Sequence, residues 1–359
     1  MQALKSKCVP KSGPTVGFVC RASHRIGGGH VMRCLTLASE MKRQGVAVRL
    51  AVNAEAWQLL PSLEQAEFAV TTVVTLAETE AWSESLDAIV FDSYEIDSKV
   101  ERTFRPRVAN IVVIDDLADR PHDCDALIDP SWGGSIANYH GLIPHHALVL
   151  AGPRYALLRP EFARLRKKSM GQRSTGGPLG RVLVSLGLTD VDGTTARVMA
   201  RLLATKVQVQ FDVVIGPIAE SRATLETLAI SDRRLKLHIN PPDMAGLMQT
   251  ADLAIGAGGQ TSWERCCLGL PTIVMVLADN QRASALGLHE AGAAKVVFGV
   301  TDAHLHEVVA SFLVLADDAG ARTRMAVEAS RIVDGRGTHR VWEALRALIP
   351  SVETIGHQP

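Results

Sequence analysis

The sequence predicts an α/β protein built from two doubly wound domains, each a parallel sheet with helices on both faces, facing each other across a cleft. Three observations carry this. Short apolar, β-branched runs alternate with stretches of helical periodicity along the whole chain, the pattern of parallel strands joined by helices. The 359 residues exceed what one core usually serves. A polar, basic, glycine-rich stretch, Lys167–Gly180 (KKSMGQRSTGGPLG), interrupts the alternation near the middle, as an interdomain linker would. The expected organisation is an N-terminal domain over residues 1–166, a linker over 167–180, and a C-terminal domain over 181–359 ending in a helical tail.

In the first half, Thr15–Cys20 (TVGFVC) reads as a buried strand. Gly27, Gly28 and Gly29 follow, and then Val31, Cys34, Leu35, Ala38 and Met41 recur at helical spacing. The glycines therefore occupy a strand-to-helix turn, where a ligand can approach the backbone and free N–H groups point at it. His30 falls in the first helical turn. The positive end of the helix dipole disfavours an imidazolium there, so a neutral histidine able to accept a proton is expected. The plainer reading is a histidine that caps the helix. Next come a strand at Val46–Val52, a short helix at Glu55–Leu60, and one continuous β-branched run, Phe68–Leu76. Asp87–Asp92 (DAIVFD) and Asn110–Ile114 (NIVVI) are further strands, with a helix near Asp97–Arg105 between them. A last strand is read at Ala126–Asp129, and Asp129–Gly141 is irregular. Ligands of such sheets bind at the carboxyl ends of strands, so His30, Asp92–Tyr94 and Asp115–Asp116 can converge on one edge.

In the second half, strands are expected at Val182–Leu186, Gln210–Ile215, Leu235–His238, Leu253–Gly256 and Thr272–Val276. Helices are expected near Thr194–Leu203, Glu220–Leu228, Pro242–Gln249, Ser262–Leu268 and Asn280–Glu290, and the tail from Ala303 is helical with a break at Asp334–Gly337. Ala257–Pro271 (AGGQTSWERCCLGLP) combines a strand end, Gly258, Gly259 and a helix start at Thr261 or Ser262. This is an anion site of the same physical kind as the first turn. It has neither the lysine of a P-loop nor the spacing of a dinucleotide fingerprint. Glu264, one helical turn on, is placed to accept from ribose hydroxyls, or else simply favours the helix dipole. Asn280 and Gln281 follow a strand end, as does Ser185–Asp190 (SLGLTD).

Composition narrows the class. Lys+Arg and Asp+Glu both number 38, apolar residues make up 47% and charged residues 21%. This argues for no nucleic acid and no anionic membrane as partner. No apolar run reaches membrane-spanning length, and the N-terminal MQALKSKCVPKSGP lacks the apolar core of a secretory signal. Six cysteines (Cys8, Cys20, Cys34, Cys124, Cys266, Cys267) form no CxxC pair, so a reduced, cytoplasmic protein is expected. Asp115-Asp116 and His122–Asp125 lack the spacing of zinc or calcium ligands, so no metal and no cofactor are expected. Nothing in the sequence calls for an obligate protein partner.

Taken together, RIGGGHVMRCLTLA, DSYEID, IDDLADRPHDCDALID, YALLRPEF and GAGGQTSWERCCLGLPTIVMVLADNQ resemble the nucleotide-sugar hydrolases of pseudaminic acid biosynthesis. The resemblance runs in separate blocks from about Val16 to about Gly292. It implies a fold of Rossmann-like domains of the kind called GT-B. It also implies removal of UDP from UDP-2,4-diacetamido-2,4,6-trideoxy-β-L-altropyranose, a step toward a nonulosonic acid for flagellin glycosylation or a surface polysaccharide. His30 would be the base, with Tyr94 and Asn280 as its catalytic partners. Gly27, Gly28, Gly29, Arg33, Arg159, Ser185, Gly187, Gly258, Gly259, Thr261, Ser262, Glu264 and Gln281 would bind the UDP-sugar. Two turns depart from the family: Gly187-Leu188 stands where two glycines are usual, and Asp129-Pro130-Ser131 where Asp-Gln-Asn is common. Other readings on the same architecture are a UDP-sugar-dependent glycosyltransferase, a hydrolysing epimerase, and a non-catalytic nucleotide-sugar-binding protein.

Overall fold

A computed structural model describes residues 13–349. The expectations for the N-terminal segment before Gly13, including Cys8, and for the tail beyond Ile349 lie outside the described residues. The first half contains β1 (Thr15–Cys20), α1 (Gly29–Arg43), β2 (Ala47–Val52), α2 (Ala54–Leu59), β3 (Ala69–Thr72), α3 (Leu76–Trp82) and β4 (Ala88–Asp92). It continues with α4 (Ser98–Phe104), β5 (Asn110–Ile114), β6 (Ala126–Asp129) and β7 (Leu148–Ala151). After α5 (Pro160–Arg173) come β8 (Arg181–Ser185), α6 (Thr194–Ala204), β9 (Gln210–Ile215), α7 (Arg222–Ser231), β10 (Leu235–Ile239) and α8 (Met244–Thr250). The chain closes with β11 (Leu253–Ala257), α9 (Thr261–Cys267), β12 (Thr272–Met275), α10 (Arg282–Glu290), β13 (Lys295–Val297), α11 (Asp302–Asp317), α12 (Ala319–Ile332) and α13 (Gly337–Leu345).

The strands form two parallel sheets, ordered β3-β2-β1-β4-β5-β6-β7 and β10-β9-β8-β11-β12-β13. In each, the winding reverses beside the first strand, between β1 and β4 and between β8 and β11. Chain connections leave those neighbours in opposite directions and open a crevice at their carboxyl ends. The inward faces of β1 and α1 bury Val16, Phe18, Cys20, Val31, Cys34, Leu37 and Met41 completely or nearly so. This burial fixes the start of α1 rigidly above the reversal point.

Four features differ from the sequence reading. The run Phe68–Leu76 is not one strand: β3 ends at Thr72, and Thr75 caps α3, its hydroxyl accepting from the Glu78 amide at 3.2 Å while Glu78 accepts back from the Thr75 amide. This reciprocal cap overrides the β-branched composition. Edge strands β7 and β13, four and three residues long, were not assigned from the sequence; each pairs with a neighbour on one side only. Lys167–Arg173, expected as linker, is the end of α5, and the arginines at either side of that stretch tie the helix to the second half. Arg166 donates to the Cys267, Val333 and Ser330 carbonyls, and Arg173 to those of Met248 and Ala251. Those partners all lie in the second half, so α5 packs there although the domain boundary was expected at 166. Finally, α13 crosses back: Val341, Trp342, Leu345 and Ile349 join the core around β1 and α1.

Candidate active site

His30 is the second residue of α1 and is 6% exposed. Its Nδ1 lies 2.5 Å from Oδ1 of Asp92, the last residue of β4. Asp92 pairs in register with Cys20, so strand pairing alone brings it to the mouth of α1. An ionised carboxylate only accepts, so Nδ1 carries the proton, and in this tautomer Nε2 is the position at which the ring can accept another. Nε2 makes no hydrogen bond among the described residues.

Arg33, one turn along α1, locks the carboxylate in place. It donates to both Asp92 oxygens, from Nε at 2.6 Å and Nη2 at 2.8 Å, and from Nη1 to Asp116 at 2.7 Å. Burial opposes ionisation of Asp92, but the Arg33 guanidinium and then His30 outweigh it and hold the carboxyl well below the usual range. Burial likewise opposes ionisation of Asp116, and Arg33 again prevails. Tyr94 donates to Asp116 at 2.9 Å and stands edge-on to His30, with ring centroids 4.6 Å apart. Burial, then the Asp116 charge, pushes the Tyr94 hydroxyl up, so it stays a neutral donor. Asn280, from the second half, donates to the Tyr94 hydroxyl at 3.1 Å. One hydrogen-bonded chain thus runs from His30 through Asp92, Arg33, Asp116 and Tyr94 to Asn280, crossing between the two sheets.

The other wall is the turn between β11 and α9. The amides of Gly259, Gln260 and Thr261 make no hydrogen bond among the described residues, which leaves three donors at a helix start. The Gly258 amide is not free: it donates to the Met275 carbonyl and to Gln281 Oε1. Gln281 Oε1 also accepts from the Leu277 amide, so this oxygen holds the turn. Ser262 is 2% exposed and its hydroxyl accepts from Arg265. Glu264 is 9% exposed and burial pushes its carboxyl up to about 7, against the pull of Arg159, whose Nη2 lies 3.7 Å away, and of Arg265.

The remaining expected residues divide. Gly27 takes φ +73 and donates to the Ser23 carbonyl, forming the turn itself. Gly28 is a packing glycine: a Cβ there would stand 2.8 Å from Leu188 of the second half. Gly29 begins α1 with open space beside it. Ser185 ends β8, and Gly187 takes φ +116, so the left-handed residue of that turn is the glycine and not Leu188. Asp92, Asp116 and Arg265 were not assigned roles from the sequence. Asp92 and Asp116 were legible as strand-end carboxylates; Arg33, expected to bind the UDP-sugar, is instead 5% exposed, with Nε, Nη1 and Nη2 all donating to those two carboxylates. Among the described residues no group of three or more His, Cys, Asp and Glu is arranged to hold a metal ion. No helix there is long and apolar enough to cross a membrane.

Comparison with known proteins agrees with this architecture. Residues 200–334 match the glycosyltransferase family 28 C-terminal domain. The chain is 25% identical over 278 residues to an uncharacterized protein of Methanocaldococcus jannaschii, covering 74% of this chain and 56% of that one. The chain thus spans little more than half the length of that relative. It is 25% identical over 296 residues to the spore coat polysaccharide biosynthesis protein SpsG of Bacillus subtilis, covering 78% and 82%. It is 21% identical over 276 residues to the UDP-2,4-diacetamido-2,4,6-trideoxy-β-L-altropyranose hydrolase of Campylobacter jejuni, covering 77% and 96%. Among solved structures, MurG of Acinetobacter baumannii superposes with a TM-score of 0.63 at 16% identity, covering 93% of this chain and 99% of that one. The UDP-GlcNAc 2-epimerase of Neisseria meningitidis, bound to UDP-GlcNAc, superposes with a TM-score of 0.62 at 15% identity, covering 93% and 100%. The fold is GT-B-like, as expected from the sequence.

Proposed function

We propose that the protein is an enzyme acting on UDP-sugars, and that it hydrolyses UDP-2,4-diacetamido-2,4,6-trideoxy-β-L-altropyranose to UDP and free 2,4-diacetamido-2,4,6-trideoxy-L-altrose. The observation that carries the reading is the His30–Asp92 pair, with Nε2 unpartnered, on the wall opposite a helix start that offers three free amides. The Campylobacter relative and the sequence blocks supply the sugar.

In this mechanism Nε2 of His30 takes a proton from water as the water oxygen attacks the anomeric carbon. The bond from that carbon to the diphosphate oxygen breaks, and its electron pair leaves with UDP. The amides of Gly259, Gln260 and Thr261 receive the departing charge. Attack opposite the leaving group inverts the anomeric carbon, and the site needs room for one water between base and sugar. Asp92 stabilises the imidazolium that forms and fixes its orientation, as in other oriented-histidine sites. Tyr94 and Asn280 orient the water or an acetamido group, and Glu264 accepts from the ribose. A second reading, transfer of the sugar to an acceptor hydroxyl, is favoured by the match to the glycosyltransferase domain. The same base would then deprotonate the acceptor.

Replacing His30 with Ala tests the base. Positioned general bases contribute about 10²–10⁴-fold, so UDP release should fall by that factor while UDP affinity stays within about twofold, since the UDP contacts lie on the other wall. Near-wild-type turnover of the His30→Ala enzyme would overturn the assignment.

A further inference from the structure

We infer that Arg265 is a positioning residue for the diphosphate: a buried cation beneath the β11–α9 turn that shapes the turn and lends it fixed positive charge. The inference rests on the UDP reading above and names a residue that reading did not use.

Arg265 is 2% exposed and makes no direct ion pair among the described residues; the charge that reaches it is that of Glu264, whose carboxylate lies against Arg159 instead. Its Nη2 donates to the Ala257 carbonyl at 2.7 Å and to Ser262 Oγ at 2.9 Å, and its Nη1 donates to Thr261 Oγ1 at 3.0 Å. Every one of those partners belongs to the turn. Its Nε is buried without a hydrogen bond. The backbone makes room for the guanidinium, since a Cβ on Gly256 would stand 2.4 Å from Nη1. Burial lowers its pKa to about 10, which leaves it cationic at neutral pH.

A buried charge that makes no direct ion pair is costly, and folding by itself gains little from it. The three free amides of Gly259, Gln260 and Thr261 lie on the same turn that the guanidinium grips. An anion held by those amides adds a counter-charge to the one that Glu264, itself shared with Arg159, supplies. The Thr261 oxygen, by accepting from Arg265, keeps its own proton available to a phosphate oxygen. A diphosphate satisfies all of these groups together, whereas the uncharged uridine half does not need them.

The test titrates UDP, uridine and inorganic pyrophosphate separately into the wild type and into Arg265→Gln and Arg265→Lys, by calorimetry. Gln keeps a donor for the Ala257 carbonyl but no charge, so a purely structural role would survive it. Arg265→Gln should bind UDP and pyrophosphate about tenfold or more weaker, with uridine within about twofold. Arg265→Lys should keep its UDP-to-uridine affinity ratio within about threefold of wild type. Unchanged UDP affinity in the Gln variant, or equal losses for UDP and uridine, would overturn the inference. Should the Gln variant not fold, a tenfold fall in the Lys variant's ratio would do the same. A wild type that binds pyrophosphate but not uridine rejects the nucleotide reading and still lets Arg265 be judged on pyrophosphate alone.

Discussion

Replacing Glu264 with Gln should make the protein more stable by a margin that grows as pH rises from about 4.5 to about 7 and is constant above that. The Glu264 carboxyl is buried on α9, and burial raises it from an ordinary 4.5 to about 7. A group raised in the folded state contributes stability that is intact below the unfolded value and is lost as pH rises through the folded value. Each pH unit across that interval is worth about 1.4 kcal/mol, so the window from 4.5 to 7 sums to about 3 kcal/mol. Gln has the same shape and does not ionise. The stability difference between Glu264→Gln and wild type should therefore grow by about 3 kcal/mol between pH 4 and pH 8. Urea unfolding of both proteins at half-unit pH steps measures it, because every other titrating group is common to the two and cancels. A flat difference across that window would mean that Glu264 ionises normally beside Arg159, and would refute the burial argument.

Other predictions bear on the two walls of the cleft. If Glu264 accepts from ribose hydroxyls, the affinity of uridine for wild type should rise as pH passes through about 7, while Glu264→Gln binds weakly and without pH dependence; calorimetric titration at pH 6 and pH 8 separates the two. Asp92→Asn removes the acceptor that fixes the His30 tautomer, so sugar-nucleotide turnover should fall by about 10²–10⁴-fold, with UDP affinity within about twofold. The same variant strips a counter-charge from buried Arg33 and should lower unfolding stability by about 3 kcal/mol. Gly287→Ala places a Cβ 2.1 Å from the Trp132 ring, where the two halves of the chain meet. Thermal unfolding should report a loss of about 1–3 kcal/mol.

The parts of the fold that were legible in the sequence are those whose signal is local. The strand–glycine turn–helix of Thr15–Met41 announces itself through spacing, and so does the turn before α9. The parts that were not legible depend on partners distant in sequence. Asp92 is 62 residues from His30, and only the pairing of β4 with β1 brings them together. Lys167–Arg173 looked like a linker because the carbonyls that bind Arg173 are about 75 residues away in α8 and after it. Within the second turn the motif marked the segment but could not say which groups the turn itself would occupy. Gly259 and Thr261 present free amides, whereas the side-chain oxygens of Ser262 and Gln281 accept from groups of the turn itself. The Thr75 cap shows the reverse case, a local signal present in the sequence but masked by its β-branched neighbours.

The central claim is that this site uses water to cleave a UDP-sugar. Proton NMR of the purified protein with UDP-2,4-diacetamido-2,4,6-trideoxy-β-L-altropyranose, without any acceptor, tests it most directly. The account predicts release of UDP, with the free sugar appearing first as the inverted anomer. Substrate left intact while UDP itself binds tightly would contradict it and point to a transferase that requires its acceptor.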